Sequence, residues 1–191
     1  VSTGMSPFRA ALTEPLACSL RAARRAMVQA PFSNVLVFGA GGIGLLSAMT
    51  ARILGASGIM IADTNAERLK MALSLGLDHA VNPREEMLEA RIREAFGGKG
   101  VDVVIDAAGF QATREAAVRV LNAGGTLMNI GLGIDDTTLP LNVQIRSEIQ
   151  ILGSFCYSPQ DFRDALGLLE SGKITEEGWT EIRPLSPGGE A

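Results

Sequence analysis

Two stretches hold residues whose types and spacing could do chemistry: VLVFGAGGIGLLSAM, Val35 to Met49, and IMIADTNAERL, Ile59 to Leu69. The first contains G-x-G-x-x-G as Gly39, Gly41 and Gly44. After an apolar run ending at Phe38 the chain must turn sharply, and Gly39 supplies backbone freedom that a Cβ denies. Gly41 lets the main chain approach a ligand closely, and Gly44 lets the next helix pack tightly on the strand. The N–H groups of Gly42 and Ile43 then stand at the positive end of that helix, facing a pyrophosphate. Asp63 falls at the end of the next apolar run, nineteen residues past Gly44, where a carboxylate can bind the two adenosine ribose hydroxyls. Strand, glycine turn, helix and acidic residue together predict a dinucleotide site. A carboxylate repels a 2′-phosphate, so NAD is favoured over NADP. Arg68, five residues on, either reaches the adenosine ribose or a phosphate or lies on a helix surface. The competing reading is a tight turn with Asp63 as the cap of a helix beginning near Asn65.

Other reactive side chains are few. Cys18 and Cys156 form no C-x-x-C pair, so neither a disulfide framework nor a cysteine-built zinc site is encoded. His79, the only histidine, cannot supply a ligand set. Glu14 in a first helical turn is stabilised by the helix dipole and needs no metal. The net charge of −4 argues against nucleic acid as the main partner, because phosphate neutralisation needs a basic face. No apolar run nears the roughly 18 residues of a membrane span, and VSTGMSPFRA has no charged region leading into an apolar one. A cytoplasmic protein without a membrane partner is the expectation.

These residues must be positioned by an alternation of short apolar runs and longer segments of helical period, the pattern of parallel strands joined by crossover helices. Strands are expected at Val35 to Phe38, Ile59 to Ala62, Ala80 to Asn82, Val103 to Ile105, Thr126 to Ile130 and Ile149 to Leu152. Ile43, Leu46, Met49 and Ile53 line one helix and Leu69 and Leu73 another; residues 85–95, 112–122 and 159–171 read as three more. Leu16, Leu20, Ala23 and Met27 mark a leading helix, with Pro15 at its first position. The fold class is α/β, a doubly wound parallel six-stranded sheet. It divides into a leading helix (1–30), a dinucleotide-binding domain (31–175) and a tail (176–191) with a strand-like run at Thr180 to Leu185. Ligands of open parallel sheets lie beyond the carboxyl ends of the strands. Ala107, Ala108 and Gly109, then Ile130, Gly131 and Leu132, then Gly153 to Phe155 with Ser154 between them, should therefore border the nicotinamide.

Taken together, ALTEPLACSLRAARRA, VLVFGAGGIGLL, ADTNAERL, LGLDHAVNP, GVDVVIDAAG, LNAGGTLMNIGL and ILGSFCYSPQDFRDALGLLESGKI resemble the medium-chain dehydrogenases and reductases. GAGGIG is similar to the zinc-dependent branch of sorbitol, threonine and alcohol dehydrogenases, and LTEPLA most resembles its polyol and threonine members. The resemblance implies hydride transfer from a secondary alcohol, such as a polyol, sugar alcohol or amino alcohol, to NAD. It also implies a catalytic zinc in the intact enzyme, with Glu14 at the position of a glutamate beside that metal. A homo-oligomer through the sheet edge near Ile149 to Phe155 follows from the same likeness. The family's catalytic barrel and the helix and strand that follow a segment like LSPGGEA have no counterpart here. The chain reads as the cofactor-binding domain alone, without catalytic residues of its own. Two rivals stand beside this reading: an NAD-responsive sensor without chemistry, and an S-adenosylmethionine methyltransferase. Against the second, Phe38 occupies the place before the first glycine where such enzymes carry an acidic residue.

Overall fold

Six short runs of apolar residues, several apolar on both faces, can satisfy their backbone groups and hide both faces only inside a covered parallel sheet. The computed structural model, which describes residues 4–28 and 30–183, shows that sheet. Its strands are β1 (Asn34–Phe38), β2 (Gly58–Ala62), β3 (His79–Val81), β4 (Val101–Asp106), β5 (Leu121–Asn129) and β6 (Gln150–Gly153). All pair in parallel, in the order β3-β2-β1-β4-β5-β6. Chain order reverses between β1 and β4, which opens a crevice at their carboxyl ends.

Successive side chains on a strand point to opposite faces. Val35 and Val37 accordingly pack with Leu45, Ile59 and Ile105 in one core, while Leu36 and Phe38 pack with Met60, Val104 and Leu127 in the other. Helices α2 (Thr13–Met27), α3 (Gly42–Ile53) and α4 (Ala66–Ser74) send buried residues to the first core; α5 (Leu88–Ala95) and α6 (Gln111–Val120) send theirs to the second. Helix α8 (Pro159–Glu170) closes a third cluster in which Leu16, Leu20 and Leu46 meet Ala165 and Leu169. Burying each such leucine contributes roughly 1.5–3 kcal/mol, so the leading helix is an integral layer. Among the described residues no helix is long and apolar enough to cross a membrane.

Several boundaries differ from expectation, each for a local reason. Helix α2 starts at Thr13, so Pro15 stands at its third position. It follows directly on α1 (Pro7–Ala11), whose Ala10 carbonyl accepts from Thr13 Oγ1. Residues 85–87 are not helical, because the Asn82 carbonyl takes the amides of Glu85 and Glu86 in a turn before α5. Helix α6 stops at Val120, not 122, because Leu121 already pairs with Val101; the register then slips before Thr126, with Gly124 at φ +75° in the break. Ile130 lies just past β5, its amide donating to the Asp106 carbonyl, and Asn82 lies just past β3. A further short helix, α7 (Leu141–Arg146), follows Pro140. Residues 180–183 adopt no strand; Pro184, Leu185 and the rest of LSPGGEA lie outside the described residues.

Candidate functional site

The turn from β1 into α3 is built by its glycines. Gly39 adopts φ +93°, and its amide donates to the Ala62 carbonyl at 2.8 Å, drawing the turn toward the end of β2. A Cβ on Gly44 would overlap the Gly39 carbonyl oxygen, so the helix's first turn sits directly on the glycine turn as well as near Val37 of β1. A Cβ on Gly41 would meet nothing within 4 Å. Gly41 caps α3 without a side chain, leaving Gly42 and Ile43 in the first helical turn, where no intrahelical acceptor exists.

Asp63 follows β2 with its side chain only 10% exposed. One carboxylate oxygen accepts from the Ala40 amide at 2.7 Å and the other from the Asn65 amide at 2.8 Å. The cap of α4 is Asn65, whose side chain accepts from the Arg68 amide. Asp63 is thus tied to the glycine turn, and the helix-cap role falls to its neighbour. The Arg68 guanidinium stands 3.9 Å from Asp63.

A cleft of about 690 Å³ opens above this crevice. It brings together Gly39, Gly41, Asp63, Arg68, Ala107 and Ala108 of the expected residues. It also recruits Thr64, Pro83, Arg84, Phe110, Ala112, Thr113 and Ala116, which sequence reasoning missed. Thr64 follows Asp63 after β2, and the others come from the turn after β3 and the first turns of α6; no motif marks them, and only half-exposed Phe110 at a strand-to-helix junction could have drawn notice.

The remaining expected residues lie elsewhere. Gly42, Ile43 and Gly44 sit in the first turn of α3, beside the cleft wall. Gly109 and Gly131 are small because two loops touch: a Cβ on Gly131 would come within 2.6 Å of the Ala108 carbonyl carbon and the Gly109 amide nitrogen. Ile130 packs against the first core. Leu132 is 81% exposed. Ser154 is buried, its amide donating to the Asn129 carbonyl while its hydroxyl finds no partner among the described residues.

Beneath the cleft, Asp106 ends β4 with no exposure at all. One oxygen accepts from the amides of Ala108 and Gly109; the other makes no close hydrogen bond among the described residues, with Arg114 Nε at 3.7 Å and the Thr113 side chain nearby. Burial raises its pKa, opposed by the Gly109 and Ala108 amides.

Glu14 is exposed in the first turn of α2 and accepts from the Cys18 thiol at 3.6 Å. Burial, then the Glu14 charge, pushes that thiol up to about 11, so it stays protonated and donates. His79 meets the Phe96 ring edge-on at 5.7 Å. Among the described residues no three His, Cys, Asp or Glu side chains could hold a metal ion. A catalytic zinc needs about three protein ligands, so these residues alone do not fit one.

Residues 42–171 match the family described as zinc-binding dehydrogenase, and the chain belongs to it. D-xylulose reductase of Saccharomyces cerevisiae is 32% identical over 169 residues, 86% of this chain and 47% of that protein. Sorbitol dehydrogenase 1 of the same yeast is 31% identical over 188 residues, 95% of this chain and 51% of that one. A putative zinc-binding dehydrogenase of Sinorhizobium meliloti, solved bound to NADP, superposes with a TM-score of 0.83 at 30% identity, covering 91% of this chain and 52% of that one. The chain spans about half the length of the curated relatives it matches.

Proposed function

We propose that this chain binds NAD as the cofactor domain of a zinc-type dehydrogenase acting on a polyol or a related secondary alcohol. The observation that carries the reading is the bond from the Ala40 amide to Asp63, which joins the phosphate-type turn and the acidic residue into one unit lining one cleft. Polyol relatives support the substrate class. In this reading the pyrophosphate rests on the N–H groups of Gly42 and Ile43, at the positive end of α3. Each Asp63 oxygen accepts one backbone N–H and keeps lone-pair capacity for a ribose hydroxyl. The same charge disfavours a 2′-phosphate, while Arg68 flanks the ribose. NAD, when bound, supplies the hydride acceptor. Ala107 and Ala108 border its nicotinamide half at the end of β4, with Gly109, Ile130, Gly131, Leu132 and Ser154 in the loops behind them and past the ends of β5 and β6. Glu14 would join a zinc site only with ligands beyond the described residues. A second copy of the chain associates through the outer edge of β6.

Calorimetric titration with NAD and NADP, repeated on Asp63→Ala, tests the cofactor reading. NAD should bind more tightly than NADP, and Asp63→Ala should weaken NAD by about 10- to 100-fold, the worth of hydrogen bonds to a charged group. Equal NAD affinity in the two proteins would sink the role of Asp63.

One observation favours a second reading, an NAD-responsive module without chemistry. Leu16 and Leu20 are covered within the chain itself, so the leading helix exposes no apolar stripe that demands another domain. Tight NAD binding with no alcohol oxidation by the longest natural form of the protein would establish that alternative.

A further inference from the structure

We propose that Arg114 is a positioning residue: acting through the buried carboxylate of Asp106, it fixes the spacing between the loop that borders the nicotinamide half of the cleft and the loop packed behind it. The inference rests on the dinucleotide reading above and adds a role for a side chain that touches no expected ligand.

The two loops follow β4 and β5. In a doubly wound sheet the half containing β1, β2 and β3 serves one nucleotide and the half containing β4, β5 and β6 the other. Loop 107–110 supplies Ala107, Ala108 and Phe110 to the cleft. Loop 130–137 lies behind it in backbone contact: the Ile134 amide donates to the Gly109 carbonyl at 2.9 Å, and a Cβ on Gly133 would approach the Ala108 carbonyl oxygen to 2.7 Å. Backbone bonds join the loops at their starts, the Gly131 amide donating to the Asp106 carbonyl at 2.8 Å, and Gln111 exchanges two hydrogen bonds with Thr138 at the far end; the stretch between depends on a further side chain for its spacing.

Arg114 supplies that constraint from α6. Its side chain is 13% exposed. Nη1 donates to the Ile134 carbonyl at 3.1 Å and to Thr137 Oγ1, and Nη2 donates to the Gly131 carbonyl at 3.3 Å. Nε stands 3.7 Å from one Asp106 oxygen, which makes no close hydrogen bond among the described residues. The other Asp106 oxygen holds the amides of Ala108 and Gly109. One guanidinium therefore grips the second loop with its two amino groups and reaches, through one carboxylate, to the first. A planar fork of five donors can do this, whereas an ammonium offers a point charge without that reach.

The test compares NAD with AMP, which occupies only the β1-to-β3 half, by calorimetry on wild type, Arg114→Lys and Arg114→Met, with thermal melts of each. Arg114→Lys keeps a cation near Asp106 and so protects folding, while losing the fork. The expected result is AMP affinity within about twofold of wild type in both variants and NAD affinity weaker by about tenfold or more, the loss of roughly one well-placed hydrogen bond or more. Unchanged NAD affinity, NAD and AMP weakened in proportion, or unfolding of both variants would each reduce Arg114 to a structural residue and overturn the proposal. Wild type that binds AMP but not NAD would overturn it too, since no nicotinamide subsite would exist to be positioned. Wild type that binds neither would instead remove the dinucleotide reading on which it rests.

Discussion

Gly41 and Gly44 stand three residues apart in one motif and answer to different demands. Around Gly44 the space for a Cβ is already taken by the Gly39 carbonyl, which is backbone and cannot step aside cheaply. Around Gly41 that space is open. Gly44→Ala should therefore destabilise the fold by about 1–3 kcal/mol or more, as overpacking does. Gly41→Ala should leave stability within about 0.5 kcal/mol while weakening NAD, because the added methyl occupies the approach to the ligand. Urea denaturation beside NAD titration separates the two; equal stability of both variants would refute the division. This contrast was only partly legible in the sequence. The spacing anticipated that Gly44 would be packed against its surroundings, but its partner is the turn itself as much as the strand. Gly109 and Gly131 proved small for loop contact rather than for ligand contact alone.

Among the elements, α2 and α8 are joined by an ionic cluster that replaces an apolar seam at one end. Asp161 is buried at the third position of α8, where it bonds the Ser158 amide and hydroxyl and meets Arg21 and Arg24 at 3.1 and 2.9 Å. Burial alone would raise its pKa, but the bonds from Ser158 and Arg21 and the charge of Arg24 outweigh it, and the net shift is downward from 3.8. A lowered folded pKa means that the unfolded chain binds the proton first as pH falls. The contribution is thus fully present above 3.8 and is lost as pH drops through the depressed value. Asp161→Ala should cost about 2–4 kcal/mol at neutral pH, as loss of a helix cap and a buried carboxylate partner requires. The gap between wild type and variant should narrow on acidification in thermal melts taken from about pH 7 to pH 3; a gap independent of pH would count against the charge as its source. Sequence periodicity could not show this pairing, since Asp161 lies 137 and 140 residues from Arg24 and Arg21 along the chain. It did reveal all six strands, because each holds a short apolar run and several are apolar on both faces. It missed α1 and α7, whose five and six residues are too short for a helical repeat to register. It also misplaced the start of β5, because Asn122 to Gly125 carry turn residues inside a strand that tolerates a register slip.

At the scale of the whole molecule the sheet is covered on both faces and ends in two edge strands, β3 and β6. β6 pairs with β5, and among the described residues no strand lies beyond it. An uncovered edge offers a row of backbone donors and acceptors to any other chain, and here apolar side chains accompany it: Ile151 on β6, Ile145 and Leu141 on α7, and Phe155 just past the strand, 76% exposed. A second copy placed edge to edge about a twofold axis presents the same residues to itself, so one patch serves both subunits. Sedimentation of the chain should then show a dimer. Ile151→Lys places a charge against its own symmetry mate and should shift the population to monomer, with the far-ultraviolet circular dichroism of the fold retained. Because the cleft is lined from the ends of β1, β2, β3 and β4 and from α6, AMP affinity should be the same in monomer and dimer. A wild-type chain that sediments as a monomer at high concentration would remove the edge as an interface; a dimer that survives Ile151→Lys would move the interface to another face.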